Sequence, residues 1–504
     1  MSDTNRVGIK AVVESTFGEV PASPVLRDLC ITGLSGLAFT PETTVSEKIR
    51  SDRQIDDLVL VGGEAAGDIG SELAFSIQDF LLEGAFFNAF QARAFRLNDE
   101  ENTHITAATA GVDFTVVDNS SGVPAVNDIF RGEGFAVAGN NAFHIDGGAS
   151  TATSWDTSTA ATEAAPPNQA RLKIVGHRSD GAGDLVLAIS GSTGTLTSTL
   201  TDLSAATLGL QAGDWVCLDG FPVQPTSEGF YRLSLDPTAT LMTFDIVPAG
   251  AVTDTPTGLA DIYVGERLIN GITQQSYTFE ESFNDHALVT YQYFRGMTVD
   301  GMVLTAPSQS IVTISYTFSG RDAFFSDSGE PATVPDQLPG VTAGRVTTPI
   351  DVTSLPVNIL NSSSDVARIA QNGVPISGAN FVLELTLEIA NNLRQRNAVG
   401  FLGAVSIGSG EFGVTGTLNT YFDNSTLARQ VISNAATSYD TRFVDSESHA
   451  IVIDAPRIKF SEGAPEVASK NEDVVANLGY QAIRHPVFGY TLLWQRFTGF
   501  VKSN

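Results

Sequence analysis

Strict alternation of apolar and polar side chains over residues 312–319 constrains the fold more than any other feature of the sequence. The apolar residues are Val312, Ile314, Tyr316 and Phe318, and the polar residues between them are Thr313, Ser315 and Thr317. Successive side chains of a β-strand point to opposite faces, so a period of two indicates a half-buried strand. The segment is therefore predicted to be a strand whose threonine and serine side chains face outward.

A second segment repeats the organisation around this strand. Residues 276–320 predict a strand, a loop, a glycine-flanked strand, a turn and a long strand, and residues 384–422 predict the same succession. The composition agrees, because 17% charged residues and 47 glycines are typical of a β-rich protein with many turns. We expect a mainly β fold in which two related halves pack face to face as one β-sandwich.

Few helices are expected. Asp79 is placed to cap a helix over residues 80–90, and Asn424 or Ser425 is placed to cap another that extends to Val431. Both helices are short, so we expect them to cover an edge or a face of the sandwich.

Residues 101–268 predict an insertion into the sandwich, because they are rich in Gly, Ala, Thr, Ser and Asp. Residues 129–145 resemble residues 208–233, and each copy closes on a similar strand, at 170–176 and 260–265. Short strands joined by tight glycine turns predict two small β-barrel or sandwich modules. The predicted boundaries are 1–100 for the first part of the main domain, 101–179 and 180–268 for the two modules, and 269–504 for the second part with a C-terminal arm.

The chain is strongly acidic, with 28 Lys and Arg against 57 Asp and Glu and a formal net charge of −29. Such a surface does not neutralise phosphates, so tight nucleic-acid binding is disfavoured. The first residues lack the pattern of a secretory signal, and no apolar stretch approaches the roughly 20 residues that cross a bilayer. We expect a protein that is made in a cytoplasm and is not inserted into a membrane.

The sequence predicts no enzyme, no cofactor and no metal site. The histidines occur singly, and Cys30 and Cys217 are far apart, whereas the ligands of a metal site are clustered. The glycine-rich stretch 61–70 lacks the Lys–Ser/Thr ending of a phosphate loop and carries two carboxylates. A turn or a loop between subunits is the favoured interpretation of this stretch.

Three parts of the sequence resemble the major tail tube proteins of siphophages. The most specific is residues 41–81, where Ser-Glu-Lys-Ile-Arg-Ser-Asp-Arg-Gln precedes a glycine-rich loop, a strand and the capped helix. The others are residues 385–422, which end on Val-Thr-Gly-Thr-Leu-Asn-Thr-Tyr-Phe, and residues 451–496, which end on Tyr-Thr-Leu-Leu-Trp-Gln-Arg. The insertion departs from this family in being longer than a minimal tube subunit carries.

The resemblance implies a structural subunit with a β-sandwich fold. Six such subunits close into a ring, rings stack into a hollow tube, and the inner sheet of each sandwich lines the channel. The implied partners are further copies of the chain, the tape measure protein, and the tail terminator and distal tail proteins, while genomic DNA passes through without specific binding. The implied location is the virion tail, assembled in the host bacterial cytoplasm, with the inserted modules decorating the outside.

Two groups of residues are candidates for the surfaces of such a tube. The candidates for the channel lining, where carboxylates would repel DNA phosphates, are Glu280, Glu384 and Glu388. Glu384 and Glu388 share one strand at a spacing of four, although a solvated outer face would show the same pattern. The candidates for contacts between rings are Arg50, Asp52, Arg53 and Asp68.

A different function remains open on the sequence, that of a capsid-decoration or minor tail protein that binds host carbohydrate weakly through the insertion. Trp155, Trp215 and Tyr231 would then stack on sugars, although a core position fits Trp215 better because its strand is flanked by glycines. The duplicated strand pattern outside the insertion favours the tube.

Overall fold

The computed structural model describes residues 3, 6–21, 24–98, 103–117, 122–221, 225–327, 350–352, 358–376, 381–423, 425–463, 465–467 and 470–500. The protein is mainly β, with 49% of the described residues in strands and 5% in helices, which confirms the predicted fold class.

The strands before the insertion are β1 (Val7–Val13), β2 (Val25–Asp28), β3 (Gly33–Val45) and β4 (Leu58–Glu72). The next strands are β5 (Phe95–Leu97), β6 (Ile105–Thr109), β7 (Asp113–Val116), β8 (Asp128–Glu133), β9 (Phe143–Ile145), β10 (Ser154–Asp156), β11 (Arg171–Arg178), β12 (Val186–Ser190), β13 (Thr193–Thr197), β14 (Trp215–Asp219), β15 (Gly229–Leu233), β16 (Leu241–Ile246) and β17 (Asp261–Val264).

The remaining strands are β18 (Glu266–Ile269), β19 (Tyr277–Phe283), β20 (Thr290–Pro307), β21 (Thr313–Gly320), β22 (Asp322–Asp327), β23 (Ile350–Val352), β24 (Val366–Gln371), β25 (Val374–Pro375), β26 (Val382–Ala390), β27 (Arg394–Arg396), β28 (Ser406–Gly408), β29 (Gly413–Tyr421), β30 (Thr437–Val444), β31 (Ala450–Phe460), β32 (Pro465–Glu466), β33 (Val475–Ala482) and β34 (Leu493–Phe497). The α-helices of the described residues are α1 (Asp79–Phe86), α2 (Ala205–Leu208) and α3 (Thr426–Ser433).

Both predicted helices are present with shifted ends. Helix α1 stops at Phe86 rather than at residue 90, because Phe87 takes the left-handed conformation with φ of 53°. Asp79 is the first helical residue and not the cap, and its carboxylate accepts a 3.0 Å hydrogen bond from the hydroxyl of Ser76. Ser425 stands at the N-cap position of α3 but makes no capping hydrogen bond with its side chain.

One layer of the main domain is an antiparallel sheet in the order β3-β4-β21-β20-β26-β29-β33. The two related halves meet inside it edge to edge, because β20 pairs with β26 and places Gly301 opposite Ala390. The expectation that the halves pack face to face is therefore wrong for these strands. The strands of both halves bury one apolar face against the same core. They therefore lie in one layer, where the backbone N–H and C=O groups of neighbouring strands pair.

The rest of the main domain covers the buried face of this sheet. Strand β20 changes layer at the bulge between Val299 and Gly301, and its first half pairs with β19 and β22. The ring of Phe279 on β19 meets that of Phe318 on β21 edge to face, with centroids 4.8 Å apart. Helix α1 and strands β30, β31 and β34 add to the same core, and the result is a β-sandwich.

The insertion builds sheets of its own. Strands β6, β7 and β10 form a small antiparallel sheet, and β5, β8, β9 and β11–β17 form a larger one. The two repeat copies lie side by side in the larger sheet, where the closing strands β11 and β17 pair and place Gly176 opposite Tyr263. Strand β8 flanks β11 and strand β14 flanks β17. One continuous sheet therefore crosses the boundary expected between residues 179 and 180.

Candidate functional site

The outward face of the main sheet consists of small, polar and acidic side chains. We call it the acidic face and define it by the outward residues of β4, β20, β21, β26, β29 and β33. These residues are Glu64, Ala66, Asp68, Gly70 and Glu72; Gly301, Val303, Thr305 and Pro307; Thr313, Ser315, Thr317 and Ser319; Glu384, Thr386, Glu388 and Ala390; Gly413, Thr415, Thr417, Asn419 and Tyr421; and Val475, Asn477, Gly479 and Gln481. The threonine and serine residues of β21 face outward as their alternation predicts.

None of the residues that define the acidic face is a lysine or an arginine. Its charged residues are Glu64, Asp68, Glu72, Glu384 and Glu388. Basic residues lie at its borders: Lys459 on β31 is opposite Gln481, and Arg394 and Arg396 flank Gln395, whose side chain donates a 3.2 Å hydrogen bond to Ser319. Across the width of six strands, the charged residues of the face itself are all negative.

Two of the three carboxylates predicted for a channel lining lie on the acidic face. Glu384 is half-buried and Glu388 is exposed, and their spacing of four places both on the outward side of β26. Glu280 lies elsewhere, on β19 in the other layer, where it is 1% exposed and accepts a 2.7 Å hydrogen bond from the hydroxyl of Tyr293. The structure therefore brings Glu384 and Glu388 together and separates Glu280 from them.

Strand β4 adds three carboxylates to the acidic face that the sequence analysis did not assign there. Glu64, Asp68 and Glu72 follow one another at a spacing of four, which is a strand signal on one face. The glycine-rich stretch 61–70, interpreted from the sequence as a turn or a loop between subunits, is part of strand β4, so that interpretation is wrong. In the structure Asp68 lies opposite Thr317 of β21.

Strands β3 and β4 continue past the main sheet as a long hairpin with an exposed end. The pairing of β4 with β21 extends only from Ala65 to Glu72, so the preceding part of the hairpin projects beyond it. We call residues 46–57 the hairpin tip. Ile49 and Ile55 in this tip are 98% and 72% exposed. Apolar side chains this exposed make the tip a candidate contact surface.

Three of the residues predicted for contacts between rings lie together in the hairpin tip. Arg50 forms ion pairs with Asp52 and Asp56, at 2.7 and 2.5 Å, and the Arg50 guanidinium lowers the pKa of Asp52. Arg53 takes a left-handed backbone conformation with φ of 59° and turns the chain. Asp68 lies apart from them on the acidic face. The tip thus combines internally paired charges with uncovered isoleucines.

A buried joint fixes the insertion to the main domain. The indole Nε1 of Trp215 on β14 donates a 3.0 Å hydrogen bond to Oδ2 of Asp454 on β31. The guanidinium of Arg232 contacts both oxygens of the same carboxylate at 3.1 Å. The side chain of Gln495 bonds to the backbone of Trp215 in both directions, at 2.8 and 3.0 Å. These hydrogen bonds satisfy the polar side chains of the joint, which are buried away from water.

Burial controls the charge of this joint. Asp454 is fully buried, and desolvation raises its pKa to about 6, against the opposing effect of Arg232. Desolvation also raises the pKa of Asp214 to about 6, with Arg267 3.5 Å away. Sequence reasoning missed the joint because Trp215 and Asp454 are 239 residues apart and nothing local to either residue predicts the contact.

Alternate residues of β31 face two different apolar clusters. Ile451 and Ile453 pack in the core of the main domain, whereas Val452 packs in the joint with the insertion and Asp454 bonds to Trp215. The insertion therefore packs on the side of β31 that faces away from the core of the main domain.

The aromatic residues considered as sugar platforms are in the core. Trp155, Trp215 and Tyr231 are each at most 1% exposed. A ring without an exposed face cannot stack on a sugar, so that prediction is wrong for these residues, and the core position of Trp215 is confirmed.

Two further observations concern the described residues. They contain no group of three or more His, Cys, Asp or Glu side chains arranged to hold a metal ion. In the same part of the chain, every helix is too short or too polar to span a bilayer.

One known protein family matches most of the chain. Residues 4–482 match the sequence model of the family described as phage tail tube protein. The chain belongs to this tail tube family. Its acidic face and its hairpin both fall within the matched residues. A search of curated proteins finds no match. As a tail tube protein, the chain is a structural component of the phage tail that assembles with copies of itself into a tube.

Proposed function

We propose that six subunits form a ring, that rings stack into the tail tube, and that the acidic face lines its channel. The observation that carries this proposal is the absence of lysine and arginine from the acidic face as defined above. Each basic contact to a phosphate adds affinity for DNA, so a channel through which DNA slides must lack such contacts. Repeated around a ring, Asp68, Glu384 and Glu388 would keep the DNA centred by repulsion. Glu280 is buried in the other layer and is not part of this proposed lining.

The hairpin is the proposed bridge between rings. It projects beyond the main sheet and ends in Ile49 and Ile55, whose exposure a neighbouring copy would remove. The ion pairs of Arg50 with Asp52 and Asp56 would hold the tip in shape while it docks. Arg53, in the same tip, belongs to this proposed contact.

The insertion is the proposed outward decoration. Its joint uses the side of β31 that faces away from the core of the main domain, and in the proposed ring the insertion lies on the outside of the tube. The boundaries 101–179 and 180–268 describe its two proposed modules, which share one sheet through β11 and β17.

The proposed partners follow from this role. They are the tape measure protein inside the channel, the terminator and distal tail proteins at the tube ends, and genomic DNA that passes without specific binding. Assembly takes place in the host bacterial cytoplasm, and the chain acts as a structural protein without catalysis, cofactor or membrane insertion. The alternative of a sugar-binding decoration or minor tail protein loses support because its named aromatic residues are buried.

Negative-stain electron microscopy tests the proposal. Purified protein is concentrated at moderate salt, where repulsion between subunits of net charge −29 is screened. Rings or tubes of six-fold symmetry with regular outer projections are expected. A sample that remains monomeric at high concentration, with and without the tape measure protein, would contradict the proposal.

A further inference from the structure

A large cleft lies between the main domain and the insertion. Its cavity volume is about 810 Å³, within the range of roughly 300–1,000 Å³ that ligand pockets occupy. Its apolar lining includes Ile77 and Phe80 at the start of α1 and Phe90 just after it, all of them only partly buried. Its border carries the exposed charges of Arg27 and Glu447. We call this cavity the α1 cleft.

The α1 cleft and the hairpin tip lie at opposite ends of the same strand. Strand β4 leads away from the tip at Leu58 and ends at Glu72. Three residues later the chain reaches Phe75 and Ile77, which line the cleft. At about 3.3 Å per residue, β4 separates the tip from the Phe75–Ile77 end of the cleft by about 46 Å. If subunits stack in one orientation along β4, the tip of each subunit points at the cleft end of the next.

The tip and the cleft also match in chemistry. The tip offers two exposed isoleucines beside three basic and four acidic residues, and the cleft offers partly exposed aromatic rings beside charges of both signs. A second cavity at the same end of the main sheet is smaller, about 220 Å³, and its lining, which includes Ser363, carries no charged residue. The larger cleft is therefore the better match for a tip that carries both apolar and charged groups.

We infer that the α1 cleft receives the hairpin tip of a second copy of this chain from the adjacent ring. The inference rests on the proposed function and names the receptor for its bridge between rings. Because tip and cleft are different surfaces at opposite ends, the contact is head-to-tail and does not close on itself, so it propagates along the tube. The insertion forms one wall of the cleft through residues such as Arg171 and Lys173, so it contributes to stacking as well as to decoration.

Disulfide trapping in assembled tubes tests this contact. The parent variant is Cys30→Ser, which removes the exposed native thiol, while Cys217 stays buried. The test pair adds Ile49→Cys and Ile77→Cys, and a second test pair uses Ile55→Cys in place of Ile49→Cys. The matched control combines Ile49→Cys with Ser363→Cys, which places the partner thiol in the second cavity. A disulfide forms only where the two Cα atoms come within roughly 7 Å.

The expected result is a ladder of covalent oligomers longer than six copies, on a non-reducing gel, from tubes of a test pair and not of the control. A ladder that stops at the ring size would place the contact within a ring and overturn the inference. Tubes that are visible by microscopy but yield no ladder with either test pair, or a ladder only with the control, would also overturn it while the proposed function stands. Failure of the Cys30→Ser parent to form tubes would count against the proposed function itself, and the inference would fall with it.

Discussion

The indole of Trp215 and the carboxylate of Asp454 join two parts of the protein that are 239 residues apart in sequence, through a 3.0 Å hydrogen bond that is fully buried. This contact, with Arg232 on the same carboxylate, makes the insertion part of a continuous packed structure. The insertion is therefore held in one orientation relative to the acidic face.

Replacing Trp215 by phenylalanine tests the energetic weight of that hydrogen bond. Trp155→Phe is the matched control, because the buried Nε1 of Trp155 has no hydrogen-bond partner among the described residues. Both changes remove the same atoms, but only Trp215→Phe breaks a bond to a charged group, which is worth about 1.5–3 kcal/mol. We expect Trp215→Phe to lower the free energy of unfolding by about 1.5–3 kcal/mol more than Trp155→Phe does, as measured by urea denaturation at neutral pH. Equal losses would show that the bond contributes nothing.

The raised pKa of Asp454 predicts a specific pH dependence. Because the folded value of about 6 lies above the ordinary value of 3.8, this group contributes stability below pH 3.8 that is lost as pH rises through 6. The Asp454→Asn side chain does not ionise. The stability of this variant relative to the natural protein should therefore improve from pH 4 to pH 7, by on the order of 1–3 kcal/mol. Parallel stability curves in urea titrations across this range would contradict the assignment.

Adding a positive charge to the acidic face should make the channel hold DNA. Thr317 is exposed there, opposite Asp68, and Thr317→Lys would be repeated in every subunit of a ring. Thr197→Lys adds the same charge at an exposed position of the insertion and serves as control. Tubes of Thr317→Lys should retain double-stranded DNA at low salt and release it as salt rises, whereas control tubes should not. Equal retention by both variants would count against the acidic face as the lining.

Glycine at position 416 should be required for the main sheet. A side chain at Gly416 would overlap the carbonyl of Thr386 and the hydroxyl of Tyr480, which share a 3.1 Å hydrogen bond. Gly413 lies on the same strand, and a methyl group there would meet Ala390 at ordinary distances of 3.7 and 3.8 Å. Gly416→Ala should therefore lower the melting temperature by several degrees, while Gly413→Ala should leave it nearly unchanged. Similar thermal shifts for both variants would show that the sheet adapts at position 416.

Local periodicity determined much of what could be predicted. Side chains of a strand alternate between two faces wherever the strand ends up, so the outward positions of Thr313 and Thr317 and the shared face of Glu384 and Glu388 follow from spacing alone. Helix α1 was located for the same kind of reason, although its end was not, because the left-handed turn at Phe87 depends on tertiary packing.

Only the tertiary structure determines which residues that are distant in sequence contact each other. Glu280 and Glu388 each follow an apolar–Thr–apolar run, yet the strand of Glu280 belongs to the other layer and its carboxylate is buried against Tyr293. The related halves share one layer because β20 pairs with β26, and nothing in the sequence of either strand predicts that pairing. A sequence records the period of each strand, since that is local geometry, but the pairing of strands and the joint of Trp215 with Asp454 arise from the competition of all buried surfaces at once.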